Sequence, residues 1–97
     1  MRILIQKFGG TSVATDETRA CAAKKVSLAR DAGYLPVVVV SAMGRNGAPY
    51  ATDTLIRLVR SCNPNASERE LDQMMYCGEI ISAVMMTGPL RRWGYRL

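Results

Sequence analysis

The sequence predicts an α/β fold with parallel strands, and three observations carry that expectation. A short apolar run, Ile3 to Ile5, feeds a Gly-Gly turn at Gly9 and Gly10. A charged, helix-prone segment follows. A second apolar run, Val37 to Val40, comes after it. Strand, helix, strand is a βαβ unit, whose crossover is nearly always right-handed and leaves its strands parallel. A chain of 97 residues is one domain at most, with a modest core. Its 48% hydrophobic and 22% charged content is that of a soluble globular protein, which sets aside disordered and low-complexity classes.

The elements follow in order. Arg2 to Gln6 reads as the first strand. Thr15 to Ala32 reads as a helix, with Asp16 and Glu17 in the turn where negative charge is favoured and Gly33 where a C-terminal cap belongs. Ala22, Val26 and Ala29 share one face of it, and small alanines let a helix lie close to a sheet. Pro36 to Ser41 reads as the second strand. Its "VVVV" lacks alternation, which predicts that both faces are covered. Ser41 to Ala51 is a loop broken by Gly44, Gly47 and Pro49. A helix is expected from Thr52, as N-cap, to Ser61, with Leu55, Ile56 and Val59 apolar.

"NPNAS" separates that helix from the next, which begins near Glu68 because Ser67 and Glu70 have capping-box spacing. It ends at Tyr76 or continues past Gly78; Glu79 to Thr87 is also helix-like, with Ile80, Ile81, Val84 and Met85 apolar. Gly88 and Pro89 then predict a kink or a break, since proline inside a helix costs on the order of 3 kcal/mol. Leu90 to Trp93 would form a last turn. Two parallel strands alone make a poor sheet. The chain therefore reads as the opening of a larger α/β domain, or as a subunit that completes its sheet with a partner.

Several function classes fall away on composition. The net charge is +5, with arginines gathered in "LRRWGYRL" beside Trp93 and Tyr95. That tail fits a solvated helix end, where cations favour the C-terminal dipole, better than a nucleic-acid contact. Cys21, Cys62 and Cys77 have no CxxC spacing, and the chain has no histidine, so no metal site is expected and the thiols read as reduced and mostly structural. The longest apolar run is too short to span a bilayer, and the N-terminus lacks a secretory pattern. A cytoplasmic protein without membrane or nucleic-acid partners is expected.

The chemistry sits at the strand ends. Backbone N–H groups at Gly9 and Gly10 can approach a phosphate with no Cβ in the way, and a helix N-terminus after them would add its positive end. Lys7 would add a full charge, and Thr11 and Ser12 hydroxyl donors. Neither a Walker A loop nor GxGxxG is present, and a Gly-Gly turn after a strand is often only a turn. Ser41, in "SAMG", would lie at the same carboxyl edge, where open parallel sheets bind ligands; it serves equally well as a turn cap. Glu79, in "CGEIIS", faces solvent on an amphipathic helix or meets a substrate ammonium group; spacing does not choose.

"QKFGGTSVA", "VVVVSAMG", "ATDTL" and "CGEIIS", in this order, closely resemble the start of bacterial aspartokinases, of the amino acid kinase superfamily. The resemblance runs from Arg2 to about Tyr95. It implies a three-layer, carbamate kinase-like amino acid kinase fold, of which residues 1–97 would be the N-terminal part. It implies transfer of the γ-phosphoryl of ATP, with Mg2+, to the side-chain carboxylate of L-aspartate, the first step towards lysine, threonine, methionine and diaminopimelate. It places Lys7, Phe8, Gly9, Gly10, Thr11 and Ser12 at the ATP phosphates, with Lys7 stabilising the transferring group. Ser41, Thr52 and Glu79 match positions that hold aspartate. A homo-oligomer is expected.

Family members are several times longer, with further strands, an adenine pocket, a substrate-binding arginine and regulatory ACT domains. The resemblance therefore predicts weak or no turnover by these 97 residues alone. Gly88 and Pro89 depart from the family's unbroken helix. The competing reading is a non-catalytic fragment that acts as a self-associating or binding module through an open sheet edge.

Overall fold

A computed structural model describes residues 2–97. The elements run β1 (Arg2–Phe8), a one-turn 3-10 helix (Gly10–Val13), α1 (Asp16–Asp31), β2 (Tyr34–Val40), α2 (Thr52–Cys62) and α3 (Glu68–Arg92). β1 and β2 pair in parallel, in register from Arg2↔Tyr34 to Phe8↔Val40. Both strands are longer than the sequence predicts. Lys7 and Phe8 gain ladder partners in Val39 and Val40, which local apolarity cannot reveal.

α1 forms the crossover. Thr15 caps it: its side chain accepts from the Thr18 N–H, while the Thr18 hydroxyl accepts from the Thr15 N–H. Gly33 ends it at φ +95, a conformation that favours glycine. Ala22, Ala23 and Val26 from α1 meet Val13, Met43, Met86 and Leu90 in one core cluster, and Phe8, Val38, Val40, Ile81 and Tyr95 pack against it. α1 and the second half of α3 thus cover the same side of the sheet.

That arrangement corrects the expectation of a strand covered on both faces. Val38 and Val40 face the helices, but Val37 and Val39 are 43% and 44% exposed. Across from them Ile3 and Ile5 are 65% and 70% exposed. The run of valines is two alternating faces written in one residue type, and the described chain supplies cover for one of them.

α3 corrects a second expectation. It runs unbroken through Gly88 and Pro89 to Arg92. Pro89 lies in the last turn and forfeits only its own N–H, the donor to the Met85 carbonyl. Met86 and Leu90, 2% and 6% exposed, anchor that turn in the core. The helix stops at Trp93, whose N–H donates to the Leu90 carbonyl, with Gly94 at φ +87 beyond it. At its other end the Ser67–Glu70 capping box forms as expected.

Two smaller corrections concern caps and thiols. The N-cap of α2 is Ala51, without a side-chain cap, and Thr52 is the first helical residue. All three cysteines are free and exposed rather than packed. Cys21 and Cys77 each fall one position short of a buried residue, Ala22 and Gly78, and Cys62 ends α2. The basic tail folds back on α1: the Tyr95 hydroxyl donates to the Val26 carbonyl at 3.3 Å, and the Arg30 guanidinium lies 4.3 Å from the Tyr95 ring centre. No helix among the described residues is long and apolar enough to cross a membrane.

Candidate functional site

The carboxyl ends of both strands are tied together by backbone. The Ser41 N–H donates to the Phe8 carbonyl at 3.0 Å, and the Gly44 N–H donates to the Gly10 carbonyl at 2.9 Å. The "SAMG" loop therefore runs across the "KFGG" turn. Gly10 is required by that crossing: a Cβ there would stand 2.5 Å from the Gly44 carbonyl oxygen and 2.8 Å from that of Ala42. Gly9 is different. It is extended, at φ −72 and ψ 172, and a Cβ on it would meet nothing within 4 Å. No feature of the described chain demands glycine at that position, and close approach of a ligand to the backbone is a use for it.

Lys7 reaches the same edge from the open face of the sheet, in register with Val39. It is exposed, and the ion pairs among the described residues, Arg19–Asp16 and Arg57–Asp53, leave it without a carboxylate partner. Thr11 and Ser12 are exposed in the 3-10 helix and border a groove of about 320 Å³ with Phe8, Thr18, Cys21 and Lys25. The positive end of α1 does not sit on the glycines as the sequence predicts. A separate 3-10 turn intervenes, and the first turn of α1 is satisfied by its own capping box.

A second glycine contact brings in α3. A Cβ on Gly78 would lie 2.7 Å from Leu55 Cδ1, 3.3 Å from the Tyr50 carbonyl oxygen and 3.4 Å from Ala42 Cβ. Gly78 thus lets α3 press onto the "SAMG" loop and the start of α2 at once. Glu79, the next residue, is exposed. Thr52 is exposed at the head of α2, and Ser41 is half-buried at the end of β2. Ala42 is the hinge of the whole arrangement, with Gly10 against its carbonyl and Gly78 against its side chain. The four segments quoted from the sequence therefore meet at one end of the sheet.

Sequence reasoning missed the residue that braces this end. Arg19 is 7% exposed, and its guanidinium donates to the Val13 carbonyl at 2.8 Å and to Asp16 Oδ1 at 2.5 Å, with Met43 Sδ at 3.4 Å. It joins the turn after β1 to the loop after β2. The one available signal was its spacing of three from Asp16 on a helix. Ser82 was also missed: it is fully buried one turn beyond Gly78, and its hydroxyl has no hydrogen-bond partner.

The sequence pattern of the amino acid kinase family matches residues 2–96. The chain belongs to that family. Aspartokinase 1 of Bacillus subtilis is 50% identical over 90 residues, which cover 93% of this chain and 22% of that protein. The aspartokinase of Geobacillus stearothermophilus is 38% identical over 96 residues, 99% of this chain and again 22% of the relative. The crystal structure of aspartate kinase from Synechocystis superposes with a TM-score of 0.82 at 37% identity, covering 93% of this chain and 14% of that one. The fold is that of the amino acid kinases, and the similarity runs to aspartokinases in particular. The chain spans 22% of the length of these curated relatives.

Proposed function

We propose that this chain carries part of an aspartate kinase site, in which the γ-phosphoryl of ATP passes to the side-chain carboxylate of L-aspartate. The observation that carries the reading is the convergence at Ala42, where Gly10 and Gly78 draw the "KFGG", "SAMG", "ATDTL" and "GE" segments together, the third through Leu55. Similarity to aspartokinases over nearly the whole chain supports it.

In this reading the γ-phosphorus forms a bond to a carboxylate oxygen of aspartate while its bond to the bridging oxygen of ADP breaks. Such transfers need positioning and charge neutralisation more than a covalent nucleophile. Lys7 places its unpartnered ammonium against the transferring group. Gly9 and Gly10 offer backbone to the phosphates, with Phe8, Thr11 and Ser12 beside them. Glu79 pairs with the substrate ammonium, and Ser41 and Thr52 hold its carboxylates. Bound with the nucleotide, Mg2+ would supply neutralisation of phosphate charge; no residue of this chain is assigned to it. Residues 1–97 are read as the N-terminal part of a kinase domain, in a cytoplasmic homo-oligomer serving lysine, threonine and methionine synthesis.

The test has two parts. Calorimetric titration of the chain with L-aspartate, alone and as Glu79→Gln, measures the substrate half. Hydroxamate trapping with ATP, Mg2+ and aspartate measures turnover, expected to be weak or absent for the chain alone. Aspartate binding unaffected by Glu79→Gln and by Thr52→Val would sink the assignment. The binding-module reading is favoured by one observation, the open apolar face of the sheet.

A further inference from the structure

We infer that the groove between the start of α1 and the end of α3 binds a free α-amino acid, its carboxylate on Arg19 and Arg92 and its ammonium on the Met85 carbonyl and Asp16. The inference stands apart from the kinase reading, because it uses none of the residues assigned to ATP or to aspartate.

The groove holds about 380 Å³, and Asp16, Arg19, Met85, Gly88, Pro89 and Arg92 border it. That is the size of a small-molecule site. Two of these residues stand there against local preference. Glycine inside a helix is unfavourable relative to alanine. A Cβ on Gly88 would meet nothing within 4 Å, so packing among the described residues does not require glycine. Its effect is to leave bare backbone on the groove wall. Pro89 is the second. A helical carbonyl points along the axis at the N–H four residues on. For Met85 that residue is Pro89, which has no N–H to give. The Met85 carbonyl is thus left without its helical donor where both residues border the groove. A ligand that comes close to the backbone and brings a donor accounts for the glycine and the proline together.

The charges choose the ligand. Arg92 is exposed, and the ion pairs among the described residues, Arg19–Asp16 and Arg57–Asp53, do not include it. Arg19 is buried and held in place by the Val13 carbonyl and Asp16. Its contacts to Val13, Asp16 and Met43 all run through its two terminal nitrogens, which leaves the Nε–H free. That nitrogen is not among the buried atoms left without a partner, so it reaches solvent. Two guanidinium groups on one groove suit a carboxylate. The Asp16 side chain is 93% exposed and joins the Met85 carbonyl as an acceptor for a cation. Donors and acceptors together match a zwitterion. Phosphate or a simple carboxylate would leave the Met85 carbonyl unpaired and meet Asp16 as a like charge.

The protein is titrated calorimetrically with each protein amino acid in turn, and with acetate and inorganic phosphate. Saturable binding of an amino acid is expected, without saturation by acetate or phosphate. Gly88→Ala puts a Cβ on the bare wall and is expected to weaken binding about tenfold or more, while the thermal midpoint holds or rises. A purely structural glycine would not give that pair of results. Arg92→Met, at an exposed position, is expected to weaken binding as much. Arg69→Met makes the same charge change at the exposed far end of α3 and is expected to leave binding intact. L-Aspartate is titrated into Glu79→Gln, so that the proposed substrate site is not counted. Absence of saturable binding by every amino acid overturns the proposal, as does binding that Gly88→Ala and Arg92→Met both leave unchanged. Equal saturation by acetate or phosphate overturns it too. Binding lost in Gly88→Ala, in a protein whose aspartate binding ignores Glu79→Gln and Thr52→Val, upholds this groove and removes the substrate assignment.

Discussion

Gly9 and Gly10 are adjacent, yet the structure gives them opposite reasons. Gly10→Ala forces a Cβ to within 2.5 Å of the Gly44 carbonyl, and carbonyls on a hydrogen-bonded loop give way poorly. A loss of about 1–3 kcal/mol is expected, in the range of overpacked sites, read by urea unfolding. Gly9→Ala meets open space at an ordinary φ, so stability should hold or rise by about 0.5 kcal/mol through the unfolded state. Its effect should fall instead on nucleotide binding, read by ATP titration. If Gly9→Ala destabilises as much as Gly10→Ala, the distinction fails. Arg19 offers a third contrast. Asp16 is 93% exposed, so the ion pair itself contributes little. Arg19→Met keeps the buried stem but strands the Val13 carbonyl, and a loss of about 1–3 kcal/mol is expected for that unsatisfied acceptor. Asp16→Asn should cost much less in the same unfolding assay.

Among the elements, α3 shows where local rules stop. Gly88 and Pro89 are helix breakers by propensity, and the sequence alone predicts an interruption there. The core overrides it, because Met86 and Leu90 flank the pair and are both buried. Pro89→Ala restores a donor for the Met85 carbonyl and should raise stability by about 1 kcal/mol, less than a mid-helix proline would yield, since last-turn carbonyls are partly solvated anyway. A fall in thermal midpoint for Pro89→Ala would mean that the proline ring makes contacts worth more than the missing hydrogen bond. What was legible in the sequence follows the same division. The crossover helix, the Gly33 cap and the Ser67–Glu70 box are local and were readable. The strand ends were not, because Lys7 and Phe8 become strand only through Val39 and Val40. The open face was hidden as well, since four valines in a row do not say which two the helices will cover. Of the candidate site, the residue types and their order were visible. Their convergence was not, because it depends on Cβ-free contacts at Gly10 and Gly78 across long sequence separations.

Over the whole molecule, cohesion is uneven. The extents are 49 × 26 × 19 Å, long for a chain of this size. The core cluster draws on α1, the second half of α3, and the turns after β1 and β2, and α2 contributes nothing to it. The only buried residue in α2 is Leu55, and the first residues of α3, Glu68 to Cys77, have none. The α2–α3 hairpin should therefore open without global unfolding, as segments with few buried apolar contacts do. Amide exchange should be fast through α2 and slow through the middle of α1 and at those amides of β1 and β2 that bond across the ladder. Thr52 heads the weak unit, and Glu79 lies just past the end of the unburied part of α3. If these residues hold aspartate, saturating L-aspartate should slow exchange in α2 while leaving the already protected β1–β2 ladder unchanged, because a ligand stabilises only the openings that destroy its site. Uniform exchange across α2 and β1 would remove the premise. Slowing confined to the 3-10 turn and the start of α1, with α2 untouched, would move the amino acid away from Thr52 and Glu79 and towards the groove beside Phe8.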